Sequence, residues 1–239
     1  MTVRRAHTRP MTSQGASASS PSVRAVLLDS GGVLMQPKGG RWNPRADFEG
    51  TVLDHSPGVT PEQFAQAIAV GDRFMSESEA TPDLDDYHRV MLDVLGVDAS
   101  AELLAALVRP VPPATVLETY PEVVDTLRQL RGRGIRLAVV SDAWPNLPEL
   151  QAALGLGGFF EVYAISAVLG CRKPDPRMYR HASDGLGLAP GECLFVDDDP
   201  ALVRAAIDLG YQGLAMCRDG AASDGVPSVT SLTGLLEVV

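Results

Sequence analysis

The strongest constraint on the fold is a set of four short apolar runs, none of which alternates with polar residues. They are "AVLL" at 25–28, "IRLAVVSD" at 135–142, "ECLFVDDD" at 192–199 and "YQGLAMC" at 211–217. Aliphatic runs without alternation suit strands buried on both faces, as in a parallel sheet covered by helices. Amphipathic stretches separate them. "PEVVDTLRQLRGRG" at 121–134 puts Val123, Val124, Leu127 and Leu130 on one face, with Pro121 near its start and Gly134 at its end. "DPALVRAAIDLG" at 199–210 closes on Gly210 in the same way. Strand, helix, strand in this order predicts right-handed crossovers and a doubly wound, Rossmann-like α/β core.

Residues 38–118 depart from that pattern. "TPEQFAQAIAVGDRFM", "DLDDYHRVMLDVLG" and "SAELLAALV" predict amphipathic helices opened by Thr60, Asp83 and Ser100, with no strand signal among them. An all-helical block between the first and second strands predicts a small helical cap, 38–118, inserted in a core made of 22–37 and 119–239. Gly39, Gly40 and the Pro112–Pro113 pair are the expected hinges. Residues 1–21 are Ser-rich and weakly apolar, which predicts a disordered tail. Its Arg4, Arg5 and Arg9, with Arg24, precede the first acidic residue, Asp29.

Composition narrows the partners. Thirty acidic against 20 basic residues give a formal net charge of −10, which argues against nucleic acid or an anionic membrane as main partner. A divalent-cation site is compatible with that balance. No apolar run approaches the ~20 residues needed to cross a bilayer. The N-terminus lacks the apolar segment of a secretory signal. Cys171, Cys193 and Cys217 show no paired or metal-type spacing and read as reduced thiols in a cytoplasmic protein.

In an open parallel sheet, ligands bind beyond the carboxyl ends of the strands. The polar residues there are Asp29 after the first run, Ser141 and Asp142 after the second, and Asp197, Asp198 and Asp199 after the third. "LGCRKPDPRMY" adds Lys173 in a proline-punctuated loop. Singly each has an ordinary reading: a turn residue at Asp29, a solvated charge at Lys173, a helix N-cap in "DDDP". Convergence at one edge of one sheet instead predicts a divalent-metal phosphoryl-transfer site.

These motifs, in this order, resemble the haloacid-dehalogenase-like hydrolase superfamily. "LLDSGGVL", "AVVSD", "RKPDP" and "FVDDDP" match its four motifs, and the insert is similar to its small helical cap. The branch with Gly two residues after the nucleophile, which includes sugar-phosphate phosphatases, is the most similar. The resemblance implies a Mg²⁺-dependent phosphatase in which Asp29 attacks phosphorus to give an aspartyl-phosphate. Asp29, the carbonyl of Gly31 and Asp198 would hold Mg²⁺, with Asp197 nearby. Lys173 would offset charge, and Ser141, with backbone N–H groups such as that of Gly32, would hold phosphoryl oxygens. A small phosphorylated metabolite is the implied partner of a monomer or homodimer.

One element of the resemblance is missing. Most phosphatases of that family carry a second Asp two residues after the nucleophile, where this chain has Gly31. A general acid/base contributes ~10²–10⁴-fold, so three alternatives stand. The leaving group is a good one, as in a sugar 1-phosphate or acyl phosphate. Or another residue serves: Asp142, where the family usually has Asn, or His55 or His88. Or turnover is weakened and the chain binds a phosphorylated metabolite. A 2-haloacid dehalogenase is the rival chemistry, disfavoured because the acid pair is kept and no aromatic stands at position 31. Around the site, Arg41, Trp42 and Arg45 are candidates for the pocket entrance, with Asp142 beside the substrate, and Trp144–Pro145 is a second wall.

Overall fold

The structure is a computed structural model that describes residues 22–220 and 225–239; the expected tail at 1–21 lies outside them. The chain opens with β1 (Ala25–Leu28) and β2 (Met35–Pro37), followed by α1 (Phe48–His55), α2 (Pro61–Glu77), α3 (Leu84–Leu95), α4 (Ala101–Leu107) and the one-turn α5 (Pro113–Val116). Next come β3 (Leu117–Thr119), α6 (Val123–Gly132), β4 (Arg136–Ser141), α7 (Leu147–Gln151), β5 (Val162–Ile165), α8 (Ser166–Leu169) and α9 (Pro176–Gly185). Then follow β6 (Cys193–Asp197), α10 (Pro200–Asp208), β7 (Gln212–Met216) and β8 (Ser228–Val229), with a 3₁₀ stretch at Leu232–Glu237 after them.

Six of these strands form one parallel sheet in the order β5-β4-β1-β6-β7-β8. The missing alternation in β1 has a direct cause. Ala25 and Leu27 pack into one apolar cluster with Met178, Tyr179 and Phe195, while Val26 and Leu28 pack into another with Leu127, Leu130 and Val196. Both faces are covered, so every residue is apolar. β1 lies between β4 and β6 with Leu28 level with Val139 and Val196, and the Asp29 N–H continues the ladder to the Val196 carbonyl at 2.9 Å. Three carboxyl ends therefore meet side by side.

Sequence reading missed β5, β8 and an antiparallel ribbon of β2 with β3. Met35 pairs with Thr119 and Pro37 with Leu117, and the Gln36 amide donates to Glu118 at 2.9 Å. Helices α1 to α5 all lie between the two ribbon strands in sequence. The first four have an apolar cluster of their own, built on Phe48, Phe64, Tyr87, Met91, Leu92 and Leu103. Their starts are set locally: the Thr60 hydroxyl accepts from Gln63 N–H, Asp83 from Asp85 N–H and Ser100 from Leu103 N–H. Three polar contacts join this helical insert to the sheet layer. Trp144 Nε1 donates to the Pro82 carbonyl at 2.8 Å, Thr81 Oγ1 meets Ser166 Oγ at 2.5 Å, and Arg172 donates to the Met75 carbonyl.

His88 lies inside that insert, away from the strand ends. It is buried, its ring stacks on Phe48 at 6.1 Å, and its Nδ1 has no hydrogen-bond partner. The structure therefore corrects its candidacy as proton donor to substrate. His55 is exposed on α1, with Nδ1 against its own helix carbonyl at Thr51. Burial lowers the His88 pKa, because charging the ring costs hydration that Asp85 only partly offsets. The unfolded chain then binds the proton more readily, so stability is intact above the ordinary histidine pKa and declines as pH falls through it. Urea midpoints measured from pH 8 to pH 5 are expected to fall more steeply for wild type than for His88→Phe.

Candidate active site

Asp29 leaves β1 buried, and the chain then turns within three residues. The Val33 N–H donates to the Gly31 carbonyl at 2.7 Å and the Gly32 N–H to the Met35 carbonyl at 3.0 Å. Gly32 has φ +67°, and a β-carbon there would come 2.0 Å from Asp198 Oδ2. Only glycine fits, on both counts. With its N–H already spent, Gly32 supplies room for Asp198 and no donor for a phosphoryl oxygen, which corrects the sequence expectation.

Lys173 reaches in from the loop before α9. Its ammonium donates to Asp29 Oδ1 at 2.8 Å and to Asp197 Oδ2 at 2.6 Å, and all three groups are buried. Burial alone would push the lysine pKa down; Asp29, Asp197 and Asp142 outweigh it and hold the ammonium above its ordinary value. Asp197 is pushed up by burial and by Asp29, against the pull of Lys173. Its Oδ1 also accepts the Asp199 N–H at 2.9 Å, so each oxygen has one hydrogen-bond partner. Asp198, at the exposed mouth, is raised to about 6 by lost hydration and then by the Asp29 charge. One oxygen each from Asp29, Asp197 and Asp198 lies within 4.8 Å of the others. Three hard oxygen donors this close, with a single ammonium among them, are a donor set that fits a small divalent cation.

The second motif ends in Ser141, the buried last residue of β4. Its neighbour Asp142, expected beside the substrate, is tied to the lysine loop. Oδ1 accepts the Lys173 backbone N–H at 3.1 Å, and Oδ2 faces Arg172 Nε at 3.6 Å. The carboxylate thus fastens the lysine loop to β4, and burial raises its pKa against the attraction of Lys173. Asp199, as the "DDDP" pattern suggests, caps α10 by accepting from Ala201 N–H at 2.8 Å.

In the loop after β2, Arg41 and Trp42 both line a cleft, as expected of an entrance, but the two guanidiniums of the loop are taken up by partners of their own. Arg41 is bound bidentately to Glu49 at 2.8 and 3.0 Å and also donates to the Pro44 carbonyl, while Arg45 grips Asp47 and the Arg109 carbonyl. Both guanidiniums shape the loop. Trp42, 44% exposed, borders a cleft of about 340 Å³ with Asn43, Asp72, Met75, Ser76 and Arg172. Its ring also covers Gly31: a β-carbon there would come 3.0 Å from Trp42 Cζ2.

With this geometry in view, the family profile described as haloacid dehalogenase-like hydrolase matches residues 23–210. The chain belongs to the haloacid dehalogenase-like hydrolases. Similar proteins include a glyceraldehyde 3-phosphate phosphatase of Methanopyrus kandleri, 35% identical over 46% of this chain and 48% of that protein. A phosphoserine phosphatase of Thermus thermophilus is 39% identical over 34% of this chain and 33% of that one. The match thus spans half or less of these two relatives. The fold is shared with a putative beta-phosphoglucomutase from Thermotoga maritima, at TM-score 0.67 and 19% identity over 91% of this chain and 100% of that one. It is shared equally with an L-2-haloacid dehalogenase from Xanthobacter autotrophicus, at TM-score 0.62 and 18% identity over 90% and 97%. The hydrolase fold alone therefore leaves the chemistry to the side chains.

Two supports of the site escaped sequence reading. Buried Gln151 donates to Ser30 Oγ at 2.8 Å and accepts from the Tyr163 hydroxyl at 3.1 Å, fixing the residue beside Asp29. Its signal was available: Gln151 shares a helix face with Leu147. Arg218, just past β7, donates to the Gly32 carbonyl at 2.8 Å, the Val33 carbonyl at 2.6 Å and Glu122 at 2.7 Å, and lies 3.4 Å over the Tyr120 ring. A lone arginine after "AMC" carries no such signal. Replacing Arg218 with Ala frees the turn at 31–33 and strands Glu122. Denaturant titration should then show a loss of roughly 2–3 kcal/mol, with Arg218→Lys recovering only part of it because a lysine lacks the planar fork.

Proposed function

We propose that this hydrolase is a Mg²⁺-dependent phosphatase acting on a small phosphate monoester through an aspartyl-phosphate on Asp29. The observation that carries the reading is the Lys173 ammonium held between Asp29 and Asp197, with Asp198 completing the carboxylate trio. The acid pair at 197–198 favours attack on phosphorus over the dehalogenase alternative. Asp29, Asp198 and the Gly31 carbonyl would hold the ion. When bound, Mg²⁺ offsets the charge of the phosphoryl group and of the carboxylates around it.

The chain's own groups then have defined tasks. Lys173 engages Asp29 Oδ1, which orients the carboxylate and leaves Oδ2 outside that hydrogen bond as the attacking oxygen. The same ammonium stays charged across the working pH range and stabilises negative charge beside phosphorus. Ser141, the last residue of β4, would donate to a phosphoryl oxygen. Oδ2 forms a bond to phosphorus as the leaving oxygen departs; water then attacks phosphorus, the Asp29 bond breaks, and inorganic phosphate is released. Substrates with weakly basic leaving groups suit a site with Gly31 after the nucleophile, acyl phosphates ahead of sugar 1-phosphates because a carboxylate is a far weaker base than an anomeric alkoxide. Three buried cysteines without disulfides suit a cytoplasmic setting.

Phosphate release from a panel of sugar, acyl and aryl phosphates, with Mg²⁺ and with chelator, tests the reading. Asp29→Asn is expected to lower kcat at least about 10³-fold, and chelator should abolish turnover. Halide release from a 2-haloacid that survives chelator, without phosphate release, would overturn it.

A further inference from the structure

The indole of Trp42 stands in the space that a side chain at position 31 would need. A β-carbon on Gly31 would lie 3.0, 3.4 and 3.5 Å from Cζ2, Cε2 and Cη2, so a carboxylate there would have to displace the ring. The loop that carries the ring is anchored at the preceding residue, where Arg41 is bound by Glu49 and by the carbonyls of Pro44 and Arg45. Trp42 also lines the cleft that includes Arg172, the residue before Lys173, whose ammonium touches Asp29. Trp42 therefore borders both the nucleophile turn and the cleft. Among the described carboxylates beside the nucleophile, Asp142 accepts the Lys173 N–H and faces Arg172, Asp197 is bound by Lys173, and Asp198 belongs to the carboxylate trio assigned to the cation.

We infer that Trp42 is a leaving-group platform that selects phosphate esters of planar, weakly basic oxyanions: aryl, enol or acyl phosphates. The inference rests on the phosphatase reading and narrows its substrate class. Bond making and breaking balance without a protein acid. Asp29 Oδ2 bonds to phosphorus, the phosphorus–oxygen ester bond breaks with its electron pair, and the leaving group departs as a phenolate, enolate or carboxylate. Such an oxyanion is stable enough to leave unprotonated and takes its proton from solvent. Its π-system lies against the indole, where stacking contributes beyond apolar burial. An alkoxide from an alkyl or sugar phosphate gains neither advantage and forgoes the ~10²–10⁴-fold contribution of a general acid.

The test compares kcat/KM on substituted phenyl phosphates, acetyl phosphate, glycerol phosphate and a sugar 1-phosphate for wild type, Trp42→Ala, Trp42→Phe and Asp29→Asn. Wild type should favour phenyl and acetyl phosphates by about 10²-fold or more over the alkyl and sugar esters. Rates should rise steeply as the phenol becomes more acidic. Trp42→Ala should raise KM for phenyl phosphates by up to about tenfold, and Trp42→Phe should restore most of it. A readout independent of turnover is quenching of tryptophan fluorescence by phenylphosphonate, absent with methylphosphonate and lost in Trp42→Phe. Sugar 1-phosphate turned over as well as phenyl phosphate, or phenylphosphonate binding unchanged in Trp42→Ala, would overturn the platform. Dependence on Asp29 would meanwhile keep the phosphatase reading standing. Loss of the phosphatase reading would show separately, as phosphate release that Asp29→Asn does not alter.

Discussion

Three carboxylates within 4.8 Å of one another repel, and burying two of them makes the repulsion worse. The Lys173 ammonium makes the arrangement tenable by bridging Asp29 and Asp197. Removing one partner from such a buried set costs several kcal/mol, on the order of 3–5, because the others are left uncompensated. Much of the surrounding structure serves to keep that ammonium in place. Asp142 fastens the lysine loop to β4, Asp199 N–H fixes Asp197, and Gly32 yields its β-carbon space to Asp198. The site is one electrostatic unit assembled from four separate segments.

The sheet order explains how segments more than 100 residues apart supply one unit. β1 is paired on one side with β4 and on the other with β6, in registers that end at the same level. Asp29, Ser141 and Asp197 are then neighbours by construction. Apolar clusters on both faces hold the strands without any polar residue in β1, so the first carboxylate appears only where the strand ends. Chemistry is confined to the rim because the interior has no place for it.

The strand ends and their charged residues were legible because each lies within one short run. β1, β4, β6 and β7 announce themselves as unbroken apolar stretches, and the starts of α2, α3 and α4 as single capping side chains. The ribbon was not legible: "MQP" and "LET" are three residues each, and their pairing spans 82 positions. β5, "VYAI", is an apolar run as long as that of β1 and carried the same signal, although only Ala164 and Ile165 in it are buried. His88 could have been read correctly, since it shares one helix face with Met91, Leu92 and Leu95. The absence of an acid at Gly31 is plain in the sequence, but what fills the space depends on the path of the 38–47 loop, which no periodicity encodes. Arg41 and Arg45 looked available for phosphate until Glu49 and Asp47 proved to be folded against them.

The seam between the helical insert and the sheet layer ties the insert to the loops that carry the second and third motifs. Ser166 Oγ meets Thr81 on the insert and also accepts from the Ala143 N–H at 3.0 Å, one residue beyond Asp142. Parting the seam would strand a buried pair of hydroxyls and free the Trp144 and Arg172 donors together. Ala143 and Arg172 adjoin the second and third motifs, so the same few hydrogen bonds that seat the insert also fix the backbone from which Asp142 and Lys173 project. A substitution at Ser166, outside the reacting centre, would therefore be felt both in the insert and at the strand ends.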